Sequence, residues 1–242
     1  MFEKRATELE RIDTGDYTPE EYTTFLREIA FINRYVGDGR ALKKTLLHEV
    51  EKKDLREFSV IDVGCGSGEL LRMIAEFARS SGRTARLTGL DLNEISASIT
   101  ASASSEFREI ASVRGDAFQL PFADASFDYA ISSLFFHHLT DDQIPSVLKE
   151  MSRVARRGLF VIDLHRDVVP FIGYKVLCFV FRISELVRHD GSLSIRKGFR
   201  VDELIEFGVR AGLNCETVQV SPGRVVLTSL RNGATSRRKP DR

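Results

Sequence analysis

Three glycines at alternating positions follow an apolar run that ends in an acid, in the segment SVIDVGCGSGEL (59–70). Gly64, Gly66 and Gly68, with Cys65 between the first two, let the backbone turn sharply and let a ligand approach it closely. A helix that begins directly after such a turn offers free N–H groups and the positive end of its dipole. The pattern therefore predicts a cofactor-binding loop between a strand and a helix.

The spacing of these glycines separates several kinds of nucleotide site. Dinucleotide cofactors use the pattern G-x-G-x-x-G, in which the third glycine allows close packing of helix and strand. Here Glu69 takes the place of that third glycine, which disfavours NAD or FAD. A phosphate-binding P-loop is excluded, because no Gly-Lys-Ser/Thr sequence follows.

Acidic residues stand at the ends of three successive predicted strands: Asp62, Asp91 and Asp116. A carboxylate at the end of the second strand can accept hydrogen bonds from both ribose hydroxyls of an adenosine. An acid at a strand end can also simply cap the next helix, so each of these acids alone is weak evidence. Together with the glycine loop, they predict a site for an adenosine-containing cofactor.

Three histidines follow the fourth and fifth predicted strands, where an open parallel sheet forms its ligand crevice. His137 and His138 lie in SSLFFHHLTDD, and His165 lies in VIDLHRD. Histidine is well suited to general base catalysis near neutral pH, so all three are candidate catalytic residues. The structural alternative is that His138 bonds its own loop and caps the next helix. Asp163 either orients a histidine or ends a strand.

The scaffold for these residues appears beyond residue 57, where apolar β-rich runs alternate with helical stretches. Continuous apolar strands separated by helices indicate a parallel sheet covered on both faces. Two closing strands joined by the tight turn SPGR are expected to be antiparallel to each other. We therefore predict an α/β fold with a mostly parallel seven-stranded sheet and an antiparallel C-terminal strand. The predicted strands are 58–63, 85–90, 111–114, 127–133, 159–164 and two within 214–230, and the predicted helices between them are 68–80, 94–109, 141–156 and 201–213.

The chain is predicted to form a single domain. Its opening helices include a capping box, in which Thr18 is the N-cap and Glu21 the third helical residue. We divide the chain into five segments: a helical cap (1–56), a cofactor-binding core (57–165), a lid (166–200), a C-terminal helix with a hairpin (201–230) and a flexible tail (231–242).

The lid segment VVPFIGYKVLCFVFRISELV (168–187) has more large apolar side chains than an exposed insertion should carry. It contains Lys175 and Arg182, so it is too polar and too short to span a bilayer. It is either a core helix or an amphipathic lid that lines a lipophilic pocket or transiently touches a membrane surface. The polar stretch that follows holds three cationic side chains for an acceptor's phenolate or carboxylate, or for the surface: His189, Arg196 and Lys197.

Composition excludes some function classes. Lys+Arg and Asp+Glu balance at 35 each, so the chain lacks the basic surplus expected of a nucleic-acid-binding protein. Three widely spaced cysteines indicate a reducing compartment rather than a disulfide framework. The charged N-terminus lacks the apolar core of a signal peptide, so we expect a cytoplasmic protein. No metal site is predicted.

The motifs resemble a known family. VIDVGCGSGEL, LTGLDLN, GDAFQLPFADASFDYAISS and LKEMSRVARRGLFVIDL are similar to successive motifs of class I S-adenosylmethionine-dependent methyltransferases. The resemblance covers about residues 58–165 and is closest to the small-molecule branch that includes the ubiquinone and menaquinone C-methyltransferases. It implies a Rossmann-like sandwich, S-adenosylmethionine as cofactor and S-adenosylhomocysteine as product. Arg156-Arg157-Gly158 replaces the usual Pro-Gly-Gly, a departure expected to affect only a turn.

The resemblance also implies roles for individual residues. The glycine loop would border the methionine part of the cofactor, and Asp62 would hold its ammonium. Asp91 would bind the ribose, and Leu92 would pack on the adenine. Asp116 and Ala117 would flank the adenine base, and Ser132 and Ser133 would lie below the sulfonium. Asn33 and Arg34 would contact the cofactor carboxylate.

A finer resemblance concerns the acceptor. FLREIAFINRYVGDGRAL, SSLFFHHL and RHDGSLSIRKGF are similar to methyltransferases found beside bacterial type III polyketide synthases. This implies a small lipophilic phenolic, quinone or polyketide-derived acceptor, with O-methylation somewhat favoured over C-methylation. The alternatives are a cofactor-binding partner or regulatory subunit without catalysis and, disfavoured by Glu69, a nicotinamide oxidoreductase.

Overall fold

The computed structural model describes residues 2–36 and 38–231, and in the second helix it leaves out the side chains of residues 30 and 33–36. Its centre is a sheet of seven strands in the order β3-β2-β1-β4-β5-β7-β6. The strands are β1 Glu57–Val63, β2 Thr84–Asp91, β3 Ile110–Arg114, β4 Phe127–Ser133, β5 Ala155–Leu164, β6 Glu216–Ser221 and β7 Arg224–Leu230.

Helices precede the sheet and connect its strands. They are α1 Arg11–Thr14, α2 Pro19–Val36, α3 Asp38–Leu42, α4 His48–Lys52, α5 Glu69–Ser80, α6 Glu94–Ala103, α7 Gln143–Val154, α8 Val168–Val180, α9 Glu185–Lys197 and α10 Val201–Arg210. A π-helical turn over Lys43–Leu47 joins α3 to α4, and a 3-10 turn covers Phe136–His138.

The predicted sheet is confirmed. Strands β1 to β5 pair in parallel, whereas β7 lies between β5 and β6 and is antiparallel to both. Alternate residues of β1 enter different apolar clusters: Ile61 and Val63 pack with residues of α7 and α10, and Phe58 and Val60 with residues of α3 to α5. Because successive side chains of a strand point to opposite faces, helices cover both faces of the sheet.

The predicted capping box at the start of α2 is also present. The backbone N–H of Thr18 donates to Glu21 Oε2 over 2.8 Å, and the N–H of Glu21 donates to Thr18 Oγ1 over 3.1 Å. These two bonds satisfy N–H groups that the first turn of a helix leaves without partners.

Strand β5 begins four residues earlier than predicted, and the Arg-Arg-Gly departure lies inside it. Arg156 Nε and Arg157 Nε donate to Asp128 Oδ1 over 2.8 and 2.7 Å. Burial alone would raise the pKa of Asp128, but these bonds lower it to about 2. The expectation that this departure affects only a turn is wrong: the residues lie inside β5, where the two arginines neutralise a buried carboxylate.

Residues 2–13, here called the N-terminal segment, cross the carboxyl-end side of the sheet beside α9. The N–H of Ala6 donates to the carbonyl of Arg196 over 3.0 Å, and those of Arg11 and Ile12 donate to the two carboxylate oxygens of Asp190. The segment is thus attached to a part of the chain about 180 residues away. Within residues 2–36 and 38–231, no helix has the length and apolar character needed to cross a bilayer.

Candidate active site

A cavity of about 1300 Å³ opens beyond the carboxyl ends of the parallel strands. Pockets for one small ligand usually measure roughly 300–1,000 Å³, so this cavity has room for two. One part, the cofactor half, is lined by the glycine loop and the ends of β1, β2 and β3. The other, the acceptor half, is lined by the N-terminal segment, the 3-10 turn, α8 and α9.

The glycine loop has the backbone that its sequence predicts. Gly64, Gly66 and Gly68 have φ angles of 75°, 54° and 72°, a region that side-chain-bearing residues rarely adopt. A Cβ on Gly64 would lie 2.5 Å from Phe135 Cγ, whereas a Cβ on Gly66 would meet no atom within 4 Å. The loop is therefore packed tightly below Gly64 and left open at Gly66, where a ligand can approach the backbone.

Asp62 is a buried acid whose charge is not compensated. Its side chain is 3% exposed, and Oδ1 has no hydrogen-bond partner among the described residues. Burial, with a smaller contribution from nearby Asp91, raises the pKa of Asp62 to about 8. A carboxylate in this position favours a ligand with a positively charged donor group.

Asp91 is held in place by the backbone. The N–H groups of Gly66 and Asn93 donate to Oδ2 and Oδ1, each over 2.9 Å. Burial raises its pKa despite these bonds. Because each carboxylate oxygen has a second lone pair, Asp91 can still accept one hydrogen bond at each oxygen from a ligand.

Most of the other predicted cofactor residues also line the cavity. Cys65 and Ala117 are buried in its wall, and Leu92 and Asp116 are exposed at its edge. Asp116 itself accepts the N–H of Phe118 over 2.9 Å, so part of its capacity is used by its own turn.

The two serines that end β4 differ. Ser133 lines the cavity, and its buried Oγ has no partner among the described residues. Ser132 is not among the described residues that line the cavity, and its Oγ donates to the carbonyl of Val63 over 2.7 Å. Alternation along a strand explains this, because neighbouring side chains face opposite ways. Asn33 and Arg34 belong to α2, but their side chains lie outside the described part of the chain.

His137 and Asp163 form a buried pair at the boundary of the acceptor half. His137 Nδ1 lies 2.8 Å from Asp163 Oδ1, and the backbone N–H of His137 donates to Asp163 Oδ2 over 3.3 Å. Although burial alone would raise it, the interaction with His137 lowers the pKa of Asp163. An ionised Asp163 accepts the Nδ1 proton and leaves Nε2 of His137 as the basic nitrogen. The alternative in which Asp163 orients a histidine is therefore the one the structure shows.

His138 has a partner that was not anticipated. Its Nδ1 lies 2.7 Å from Oδ1 of Asp13 in the N-terminal segment, rather than capping α7. Burial is the largest single influence and lowers the pKa of His138, but Asp13 and Glu10 together outweigh it and the net shift is upward. Its ring lies 4.2 Å from that of His137, measured between centroids.

Glu10, His137 and His138 bring potential metal-ligand atoms within 4.8 Å of one another. Lys197, however, places Nζ 3.2 Å from Glu10 Oε1 and 3.0 Å from Asp13 Oδ2. The ammonium therefore already supplies a cation to both carboxylates, and we assign the cluster to the chain's own ion pairs rather than to a metal. Lys197 is 5% exposed, so of the two alternatives for this residue the one in which it is surface charge is wrong.

The other basic candidates lie away from the cavity. His165 is not among its described lining residues, and its Nδ1 lies 3.1 Å from the carbonyl of Pro222. His189 pairs with Asp190 over 2.9 Å, and Arg196 pairs with Glu8 over 3.2 Å. The structure therefore places His137 and His138, but not His165, at the cavity.

Sequence reasoning missed several lining residues, among them four that form ion pairs: Glu10, Asp13, Asp38 and Arg224. Glu10 and Asp13 come from a stretch that looks only charged, and no local signal shows that it packs against α9. Asp38 and Arg224 form a buried ion pair on the cavity wall, and they are 186 positions apart. Such pairs depend on tertiary packing and leave no periodic trace in the sequence.

Comparison with known proteins agrees with this geometry. Residues 60–158 match a family described as a methyltransferase domain. The chain is 32% identical over 123 residues to a demethylmenaquinone methyltransferase of Bacillus licheniformis, covering 51% of each protein. It is 33% identical over 121 residues to a 2-phytyl-1,4-naphtoquinone methyltransferase of Synechococcus elongatus, covering 47% of this chain and 48% of that protein. The match thus spans about half the length of these relatives.

Solved structures share the fold across most of the chain. A magnesium protoporphyrin IX methyltransferase from Synechocystis, crystallised with S-adenosylhomocysteine, aligns with a TM-score of 0.62 at 16% identity, over 90% of this chain and 97% of that one. A SAM-dependent methyltransferase from Aquifex aeolicus aligns with a TM-score of 0.61 at 16% identity, over 88% and 98%. At such identity these likenesses establish the fold alone. The chain therefore has the fold of S-adenosylmethionine-dependent methyltransferases of known structure, and its residues 60–158 are similar in sequence to a methyltransferase domain.

Proposed function

We propose that the protein transfers a methyl group from S-adenosylmethionine to a small lipophilic acceptor of the phenolic, quinone or polyketide-derived type. One observation carries this proposal. A single cavity joins an uncompensated buried carboxylate and a glycine loop at one end to a histidine–aspartate pair at the other. Its volume accommodates a cofactor and an acceptor together.

The cofactor half matches the groups of S-adenosylmethionine. Asp62 offers its unpartnered Oδ1 to the ammonium, and Asp91 offers its remaining lone pairs to the ribose hydroxyls. The open space at Gly66 allows the ligand to lie against the backbone. Leu92 and Ala117 provide apolar surface for the adenine. When bound, the cofactor supplies a methyl group already activated by its sulfonium.

His137 is the residue we assign as general base. Asp163 holds Nδ1, so Nε2 can accept the hydroxyl proton of the acceptor. With the cofactor bound, the acceptor oxygen would take the methyl group as S-adenosylhomocysteine leaves, and His137 would keep the proton. The rest of the task is to hold oxygen and carbon about 3–3.5 Å apart and exclude water. In this step the acceptor oxygen is the nucleophile, so we propose O-methylation; the same base would equally serve C-methylation of a phenol.

The acceptor half favours an apolar molecule. Its roof consists of α2 and α8, where Phe25, Ile29, Tyr174 and Leu177 pack against a small buried cluster and also line the cavity. The relatives named above act on naphthoquinone-type compounds by their descriptions, which supports a ring-bearing lipophilic acceptor here.

Isothermal titration with S-adenosylmethionine and S-adenosylhomocysteine, with NAD as control, tests the first step. We expect micromolar binding of the first two and none of NAD. A turnover screen with phenols, resorcinols, pyrones and quinols then tests the second. Cofactor binding without product from any acceptor would support a non-catalytic binding subunit, and failure of both cofactor forms to bind would overturn the proposal.

A further inference from the structure

Helix α8 presents a continuous apolar surface to solvent. Only Cys178 among its residues is buried. We call the exposed row the α8 face, and it consists of Val168, Val169, Ile172, Val176, Phe179 and Val180. These side chains are 47–84% exposed, with Phe179 the most exposed of them.

This surface is unusual within the molecule. Among the described residues, seven of the fifteen exposed large apolar side chains fall within 168–181. Phe31 of α2 adds to them, because its ring lies 5.4 Å from that of Phe181 at an edge-on angle. Exposed apolar patches of this kind normally mark a site of interaction.

The same helix borders the cavity with its other side. Pro170, Gly173, Tyr174 and Leu177 line the acceptor half, and Val169 belongs both to this lining and to the exposed row. The α8 face therefore lies at the edge of the acceptor half, not at a remote part of the surface.

Charge indicates what the face contacts. Residues 168–182 include Lys175 and Arg182 and no acid, and both cations are exposed. On the helix, Lys175 lies next to the apolar row, where a long cationic side chain can reach lipid headgroups while its stem stays in the apolar layer. A second copy of the chain docked here by twofold symmetry would bring these cations toward their equivalents.

We propose that the α8 face docks on an anionic lipid bilayer, with α8 lying in the plane of the interface. A helix of 13 residues is about 20 Å long, and such helices bury their apolar side about 5–10 Å into the headgroup–acyl boundary. Docking in this way places the acceptor half next to the membrane, so a lipid-dissolved acceptor reaches it without crossing water. This delivery of the acceptor from the membrane rests on the lipophilic acceptor proposed above.

The absence of tryptophan from the chain makes a direct test possible. Phe179→Trp introduces a single reporter on the α8 face, and Val209→Trp introduces one at an exposed position of α10. With vesicles of phosphatidylcholine and phosphatidylglycerol, we expect a blue shift and quenching by brominated lipids for Trp at 179 and neither for Trp at 209. Equal responses, or none from either, would overturn the proposal.

Vesicle flotation separates the contribution of the apolar row to lipid binding from that of Lys175. Phe179→Glu should lower binding to anionic vesicles at least tenfold, with Val209→Glu as the matched control. Lys175→Gln should lower it about fivefold, and the loss should shrink on phosphatidylcholine alone. Self-association in sedimentation that Phe179→Glu abolishes, without vesicle binding, would assign the face to a second copy and overturn the lipid proposal. Cofactor titration of Phe179→Glu should match wild type, so a failure of lipid docking is distinguishable from a failure of the proposed function.

Discussion

Asp62→Asn tests whether cofactor binding depends on the protonation state of Asp62. Wild-type Asp62 has a pKa of about 8 in the free protein, so it is mostly protonated at pH 6. A cofactor ammonium favours the carboxylate, so binding below pH 8 releases a proton. Cofactor affinity should therefore fall by roughly 20- to 25-fold from pH 7.5 to pH 6.0, because the ionised fraction of Asp62 falls from about 0.24 to about 0.01.

The substitution should remove this pH dependence. Asparagine keeps a hydrogen-bond acceptor but not a charge, so affinity at pH 7.5 should be about tenfold lower or more and nearly constant down to pH 6.0. Isothermal titration in two buffers of different ionisation enthalpy measures the proton release directly. Asp116→Asn, at an exposed carboxylate on the same cavity wall, should keep the wild-type dependence.

The free protein offers an independent check of the same pKa. A raised folded-state pKa means that the folded protein binds more protons than the unfolded chain between pH 4 and pH 8. The free energy of unfolding should therefore decrease as pH rises through that window, by up to about 6 kcal/mol. Asp62→Asn should lack this contribution and be the more stable protein at pH 8.5. Identical pH profiles of affinity and stability for wild type and Asp62→Asn would refute the reasoning.

Three further outcomes are expected. Asp91→Ala should weaken S-adenosylmethionine binding more than tenfold without changing the circular dichroism spectrum, and unchanged affinity would remove the ribose assignment. His137→Ala should lower kcat about 100-fold or more with cofactor affinity unchanged, whereas His165→Ala should keep kcat within about twofold. Full activity of His137→Ala would mean that catalysis rests on proximity alone. Lys197→Met should destabilise the fold by about 3–5 kcal/mol, because the buried carboxylate of Glu10 loses its cation, and a thermal midpoint equal to wild type would contradict that ion-pair assignment.

The sequence predicted the sheet well, and it predicted that the glycine loop, Asp62 and Asp91 lie at one sheet edge, because both depend on local signals; the roles of these residues toward a cofactor stay predictions. The apolar strands read as a parallel sheet, and Gly64, Gly66 and Gly68 adopt the left-handed backbone that glycine favours. Asp62 and Asp91 follow their strands directly, so their place at the sheet edge follows from chain direction. The prediction gave Ser132 and Ser133 the same role, although successive side chains of a strand point to opposite faces of the sheet.

The acceptor half could be predicted only in part. His137 and Asp163 follow adjacent strands, and the topology brings them together. His165 also follows a strand, but its ring contacts the carbonyl of Pro222 in the turn before β7 and does not line the cavity. Glu10 and Asp13 reach the cavity only because α9 folds back on the N-terminal segment, and no pattern near either residue encodes that contact.

The N-terminal segment also sets an order of events during synthesis. Arg5 donates to the carbonyls of His137, Leu139 and Lys197. The full set of these bonds can therefore form only after nearly 200 residues have been synthesised. The glycine loop and Asp91, by contrast, are 25 positions apart and can associate early. Pairings of such high sequence separation form late in folding. During synthesis, the residues that form the glycine loop and its contact with Asp91 are therefore available well before the partners of Arg5.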